Sequence, residues 1–241
     1  VVLTAVRQNG RAIWFVAGSL RRDREVVMAA VQQSGCALEF LDSDFQADAN
    51  IVLRAVLQDE RALQFAAREL RKDARVVTAA ARKNGWSSLF SVQQLREDRD
   101  LARTALQLDG RALEFLAADL QGDEDVVLAA VTQTGSAFAF ASPELQSNRQ
   151  VILTAVKQDG MVLKLVPPDF RGDRDVVTAA VQQAGCALEF AAPELQSDHA
   201  LALIAVQQSG QALEFVAEAL RGDRAVVCAA VASDSTAVHF A

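Results

Sequence analysis

The side chains best suited to chemistry in this 241-residue chain are basic and aromatic, and they recur at fixed spacings. A candidate partner-binding surface is formed by Arg54, Arg61, Arg82, Lys83, Trp86 and Arg111. Arginine and lysine attract carboxylates and other anions, and an aromatic ring beside arginine is typical of the residues that dominate interfaces. We therefore predict a surface for an acidic or anionic partner, with Trp86 as its anchor.

A purely structural interpretation of this surface also stays open. Arg82 and Lys83 fall in the last turn of a predicted helix, where cations complement the helix dipole. Arg61, Trp86 and Arg111 lie beyond that turn, so the dipole does not account for them.

No catalytic arrangement stands out in the sequence. The two histidines, His199 and His239, are interpreted as surface residues, and the three cysteines have no CxxC spacing. Nothing resembles a phosphate loop, a dinucleotide fingerprint or a zinc motif. We expect no enzyme activity, no cofactor and no metal site. The odd cysteine count favours a reducing compartment, either the cytosol or an organelle interior.

Charge and hydropathy narrow the partner class. The net charge is −7, which disfavours nucleic acid as the main partner. No stretch has the 18 or more apolar residues of a membrane span. We expect a protein partner.

The elements that position these side chains follow a 25-residue period that runs through the whole chain. Counting from Val1 gives nine complete repeats and a tenth of 16 residues, and repeat positions are numbered 1–25 below. A fixed period in this range indicates an array of stacked units. The period predicts an all-α fold, an α-solenoid of ten repeats, as one elongated domain over residues 1–241.

Each repeat is predicted to hold a helix of about ten residues and a shorter helical return. Asp at position 23 is the expected N-cap, and Gly at position 10 is expected to end the helix in a left-handed conformation. The return is predicted as a short helix followed by a tight or 3₁₀ turn. Ala at position 5 and Phe at position 15 are expected in the seams, that is, at the contacts between neighbouring repeats. Gln at position 8 is interpreted as a structural ladder, a row of stacked side chains from successive repeats.

The joint pattern "VVLxAVxQxGxALEFAxxELxxDR" resembles the repeat known as domain of unknown function 4116, and more weakly the leucine-rich repeat variant. The closest repeats are Val126–Gln150, Val176–Ala200 and Leu201–Ala225. The resemblance implies a repeat array and brings no catalytic residues. The fourth repeat departs most, because Ser87 and Ser88 occupy apolar positions, so irregular packing is expected there.

Together these features predict a non-catalytic helical-repeat protein that serves as a protein-binding scaffold or a structural subunit of an assembly. The alternative is an RNA-binding helical repeat that uses the basic residues and Trp86. Val1 starts inside a predicted helix without its N-cap. We therefore expect a part of a longer chain or assembly, with the array ends covered by neighbouring subunits or further repeats.

Overall fold

The computed structural model describes residues 1–82 and 85–241. The chain forms two compact units, one of Val1–Leu108 with Phe115–Leu120 and one of Asp109–Glu114 with Gln121–Ala241. All regular elements of the described residues are helical, which confirms the predicted all-α repeat fold of the solenoid class. In the same residues no helix is long and apolar enough to cross a membrane. The expectation of a single domain stays a prediction.

One long helix opens each repeat. In chain order these are α1 (Val2–Gln8), α2 (Arg24–Gln33), α3 (Ala49–Gln58), α4 (Ala74–Leu89), α5 (Arg99–Leu108), α6 (Glu124–Gln133), α7 (Arg149–Gln158), α8 (Arg174–Gln183), α9 (His199–Gln208) and α10 (Arg224–Ser233). The predicted Asp caps are confirmed. The Asp173 carboxylate, for example, accepts hydrogen bonds from the backbone N–H groups of Asp175 and Val176 at 2.9 and 3.2 Å.

The return half of the repeat contains two elements in the opposite order to the prediction. A six-residue 3₁₀ helix comes first: Gly10–Phe15, Gly35–Phe40, Glu60–Phe65, Gly110–Phe115, Gly135–Phe140, Gly160–Leu165, Gly185–Phe190, Gly210–Phe215 and Ser235–Phe240. A single α-turn follows: Gly18–Arg21, Ser43–Gln46, Arg68–Arg71, Gln93–Arg96, Ala118–Gln121, Pro143–Gln146, Pro168–Arg171, Pro193–Gln196 and Glu218–Arg221.

The side chain at position 21 explains why the 3₁₀ helix can end where it does. Gln196 Nε2 donates to the carbonyls of Leu188 and Glu189, both at 3.1 Å. In the preceding repeat Arg171 Nε donates to the carbonyl of Val166 at 2.8 Å. These side chains add hydrogen bonds to carbonyl groups at the end of the 3₁₀ helix, where fewer backbone N–H groups are available.

The core lies along the long helices and positions 12 and 13 of the 3₁₀ helix. Ala130 and Ala155 at position 5 are fully buried, as expected of a close helix seam. The prediction for Phe at position 15 was less accurate. Residues at position 13, such as Leu188, are fully buried, whereas Phe190 at position 15 is half-exposed. Residues at position 13 therefore pack inside the contact between repeats, and residues at position 15 lie at its exposed rim.

The predicted role of Gly at position 10 was wrong. Among the described residues only Gly85 has a positive φ, at 77°. At the other seven glycines of position 10 the next repeat comes too close for a larger side chain to fit without a shift. A Cβ built on Gly160 would lie 2.3 Å from the carbonyl oxygen of Ala180, far inside van der Waals contact. Repeat packing, and not a left-handed turn, selects glycine here.

The fourth repeat is irregular, as its sequence predicts. Its long helix α4 runs on to Leu89 through a break at Gly85. Ser88 lies at the usual core position 13, and its hydroxyl donates to the carboxylate of Glu60, which is buried. Glu60 replaces the glycine of position 10, so the seam between these two repeats is polar where the others are apolar.

Candidate functional site

Arg54 and Arg82 are the two predicted binding residues with the freest charges. Arg54 lies on α3 and Arg82 on α4, and both side chains are exposed. Within residues 1–82 and 85–241, neither guanidinium has a carboxylate at ion-pair distance. Both belong to the unit that contains Val1–Leu108.

Arg61 and Arg111 are already paired. The Arg61 guanidinium makes two hydrogen bonds to the Asp59 carboxylate, at 3.0 and 2.8 Å, and these hold the pKa of Asp59 below its usual range. Arg111 Nε lies 3.4 Å from Asp109 Oδ1, in the second unit. The acid of each pair stands at position 9, two residues before the arginine at position 11. These two cations are therefore locally compensated.

Trp86 does not present a free aromatic face on both sides. It is half-buried and stacks on Phe90, with ring centroids 6.0 Å apart and an interplanar angle of 21°. Lys83, the remaining predicted residue, lies outside the described residues.

A groove runs between α3 and α4 and includes Arg82. Its lining residues are Leu57, Ala74, Arg75, Thr78, Ala79 and Arg82. Leu57 is 52% exposed, more than the other exposed leucines of the described residues, Leu20, Leu108 and Leu165. Arg54 precedes Leu57 by three residues on α3, so the two side chains are neighbours along one side of the helix. The structure thus joins two predicted cations to an apolar surface that the sequence analysis missed.

Grooves of the same kind occur between α1 and α2 and between α7 and α8. Each is lined in part by an alanine at position 4, namely Ala29, Ala79 or Ala179. All five even-numbered repeats have alanine at this position, whereas the odd ones have a larger residue. The alternation in sequence indicates that a pair of repeats is the repeating unit, and each of these three grooves lies where an odd repeat meets the following even one.

The three grooves differ in charge at position 25. In the α1–α2 groove this position is Glu25, which lies 3.8 Å from Arg7. In the α7–α8 groove it is Asp175, which lies 2.7 Å from Arg149. In the α3–α4 groove it is Arg75. An arginine where the other grooves have a carboxylate was the sequence signal for this site, together with leucine at position 7.

A second groove lies on the 3₁₀ face of the first three repeats. It is lined by Arg11, Ser34, Cys36, Asp59, Arg61, Gln64 and Phe65. Burial raises the pKa of the Cys36 thiol to about 11, and the nearby Asp59 carboxylate, which accepts from Sγ at 3.4 Å, adds to the effect. The thiol is therefore protonated and unreactive near neutral pH. Among the described residues, no three potential ligand side chains come together as a metal site requires.

The geometry defines a helical-repeat protein with grooves between paired repeats. The family model described as Domain of unknown function (DUF4116) matches residues 1–46, 48–96, 98–146 and 148–196, and the chain belongs to this family. Each match spans about two repeats, and the last three begin at the N-cap position, which agrees with the alternation seen at position 4. No curated protein and no solved structure matches the chain.

Proposed function

We propose that this chain is a non-catalytic protein-binding scaffold, or a structural subunit of an assembly, that receives its partner on the exposed face of the long helices. The observation that carries the proposal is the uncompensated charge on consecutive helices. Arg54, Arg82 and Arg103 lie on α3, α4 and α5, and in the described part of the chain none has a carboxylate at ion-pair distance.

Such a surface supports protein binding because arginine beside exposed apolar area is typical of interface centres. The RNA alternative has less support. Helical-repeat RNA readers stack bases on exposed aromatic faces, and Trp86 is half-buried against Phe90. Arg61, a cation of the predicted RNA surface, is held by Asp59.

The test is quantitative affinity purification from native extract with and without ribonuclease. The bait variants are Arg54→Gln with Arg82→Gln, and a control pair, Arg22→Gln with Arg96→Gln, at the C-terminal ends of two single-turn helices. We expect a stoichiometric, ribonuclease-resistant protein that the first pair loses and the control pair retains. Recovery of RNA instead, or equal recovery with all baits, would contradict the proposal.

A further inference from the structure

The groove between α3 and α4 combines an apolar wall with unpaired positive charge. Leu57 forms one wall with 52% of its surface exposed, and Ala74 and Ala79 lie opposite on α4. Because alanine side chains are short, the groove has room for one apolar side chain of a partner beside Leu57. Arg82 stands at its edge.

Comparison with the equivalent groove in the same unit shows that this charge is specific to it. Between α1 and α2, Arg7 faces Glu25, so that groove supplies its own anion. Between α3 and α4 the equivalent of Glu25 is Arg75, whose only carboxylate contact among the described residues is its own helix cap, Asp73, at 2.8 Å. The α3–α4 groove therefore lacks the internal acid of its counterpart.

We infer that this groove binds an acidic peptide segment of a partner protein that carries one leucine-sized apolar side chain. The inference rests on the proposed protein-binding function and names its ligand class. The apolar side chain would cover Leu57 and remove its exposed surface from water. Carboxylates on either side of it would pair with Arg54 and Arg82, since guanidinium groups hold carboxylates with two parallel hydrogen bonds. Arg75 is held by Asp73, and its part is to leave the groove without the position-25 carboxylate that would repel an acidic peptide.

A single substitution gives the α3–α4 groove a carboxylate at position 25, where the α1–α2 groove has Glu25. Arg75→Glu places a carboxylate in the first turn of α4, where negative charge favours the helix, so folding is expected to be preserved. The matched control is Arg224→Glu, the same change in the first turn of α10. A second variant, Leu57→Ser, removes the exposed apolar wall without opening the core.

The probe is a short fluorescein-labelled peptide of glutamates flanking one leucine, titrated with the full chain and followed by anisotropy. Placing a carboxylate beside the carboxylates of the peptide is expected to weaken binding about tenfold in Arg75→Glu. Leu57→Ser, and a peptide with serine in place of leucine, should weaken it similarly. Arg224→Glu should bind like the wild-type chain, and added salt should weaken all binding.

Other outcomes separate this inference from the function on which it rests. If a single-stranded RNA oligonucleotide binds more tightly than the peptide and also loses affinity in Arg75→Glu, the groove is a nucleic-acid site and the inference is wrong. If a native protein partner co-purifies equally with wild-type and Arg75→Glu baits, the inference fails and the scaffold function stands. If the peptide binds as expected but no protein co-purifies, the scaffold function fails.

Discussion

The side chain of Gln208 closes the seam to the preceding repeat through Gly185. Its Oε1 accepts a hydrogen bond from the Gly185 backbone N–H at 2.8 Å, and its Nε2 donates to the carbonyl of Gln183 at 3.2 Å. The glutamines Gln33, Gln58, Gln158 and Gln183 accept from the equivalent glycine N–H groups. These five glutamines at position 8 therefore act as clasps, side chains that hydrogen-bond one repeat to the preceding one.

Removal of one clasp should destabilise the fold measurably. Gln208→Ala leaves the N–H of the buried Gly185 without its acceptor, which is expected to cost about 1–3 kcal/mol. The measurement is the free energy of unfolding from urea denaturation. Gln207→Ala is the control, since Gln207 is exposed and makes no such bond, and it should unfold like the wild-type chain. Equal effects of both substitutions would show that the clasp contributes nothing.

The sequence predicted the clasps only as a structural role, and the reason is geometric. The period identifies which positions are constant, and capping rules identify Asp at position 23 from local chemistry alone. The distance between repeats is not a local property. The true role of glycine at position 10, the 3₁₀ form of the return and the exposed rim at position 15 all depend on that distance.

The same limit applies to the candidate site. Arg54 and Arg82 were identified as basic residues that recur at fixed spacings. The pairing of Arg61 with Asp59 depends on the extended backbone at position 9, with φ −146° and ψ 112°, which aims the carboxylate at the following turn. The groove beside Leu57 requires knowledge of which helices are neighbours. Charge inversion at position 25 was visible in the sequence, but its meaning was not.

The close packing of neighbouring repeats at Gly160 leads to a second prediction about stability. In Gly160→Ala the new methyl carbon would meet the carbonyl oxygen of Ala180 at 2.3 Å, so the repeats must separate. We expect a loss of about 3 kcal/mol in the free energy of unfolding, the upper part of the range for overpacking. Gly172→Ala is the control, because its nearest new contact is at 3.8 Å. If both variants unfold alike, glycine at position 10 is selected for another reason.

The cap at Asp173 should make stability depend on pH. Hydrogen bonds from Arg149, and then from the backbone N–H groups of Val176 and Asp175, lower the pKa of Asp173 in the folded state. A carboxyl with a lowered folded pKa stabilises the fold above its unfolded pKa, about 3.9, and loses that contribution as the pH falls through the folded value. Asp173→Asn should thus be less stable than wild type near neutral pH, and the difference should vanish in strong acid.

Asparagine is the right replacement because Asn148 caps α7 with equivalent bonds, at 2.9 Å to Gln150 N–H and 3.3 Å to Val151 N–H. Asp173→Ala removes the cap altogether and should cost about 1 kcal/mol near neutral pH. Asp169→Asn, on an exposed single-turn helix, controls for the change in net charge. An Asp173→Asn deficit that persists unchanged in acid would show that the carboxylate charge plays no part.

The acid at position 9, Asp59, adds to the effect of burial in raising the pKa of the neighbouring thiol, Cys36. Burial and the Asp59 carboxylate together raise the pKa of Cys36 to about 11, so little thiolate exists at a pH of about 8. Asp59→Asn removes the negative charge and leaves Arg61 free to stabilise the thiolate. In a chain carrying Cys186→Ser and Cys228→Ser, alkylation of Cys36 by iodoacetamide should therefore become severalfold faster.

This comparison has a control at the same repeat position. Asn9 shows that asparagine can cap the 3₁₀ helix, since its side chain accepts from the N–H of Arg11 at 3.1 Å, so Asp59→Asn should fold normally. Asp159→Asn makes the same change where residue 136, the equivalent of Cys36, is serine, and it should leave the alkylation rate of Cys36 as it was. An unchanged rate in Asp59→Asn would mean that burial alone suppresses the thiolate. In that case the ion pair between Asp59 and Arg61 would have no effect on the ionisation of Cys36.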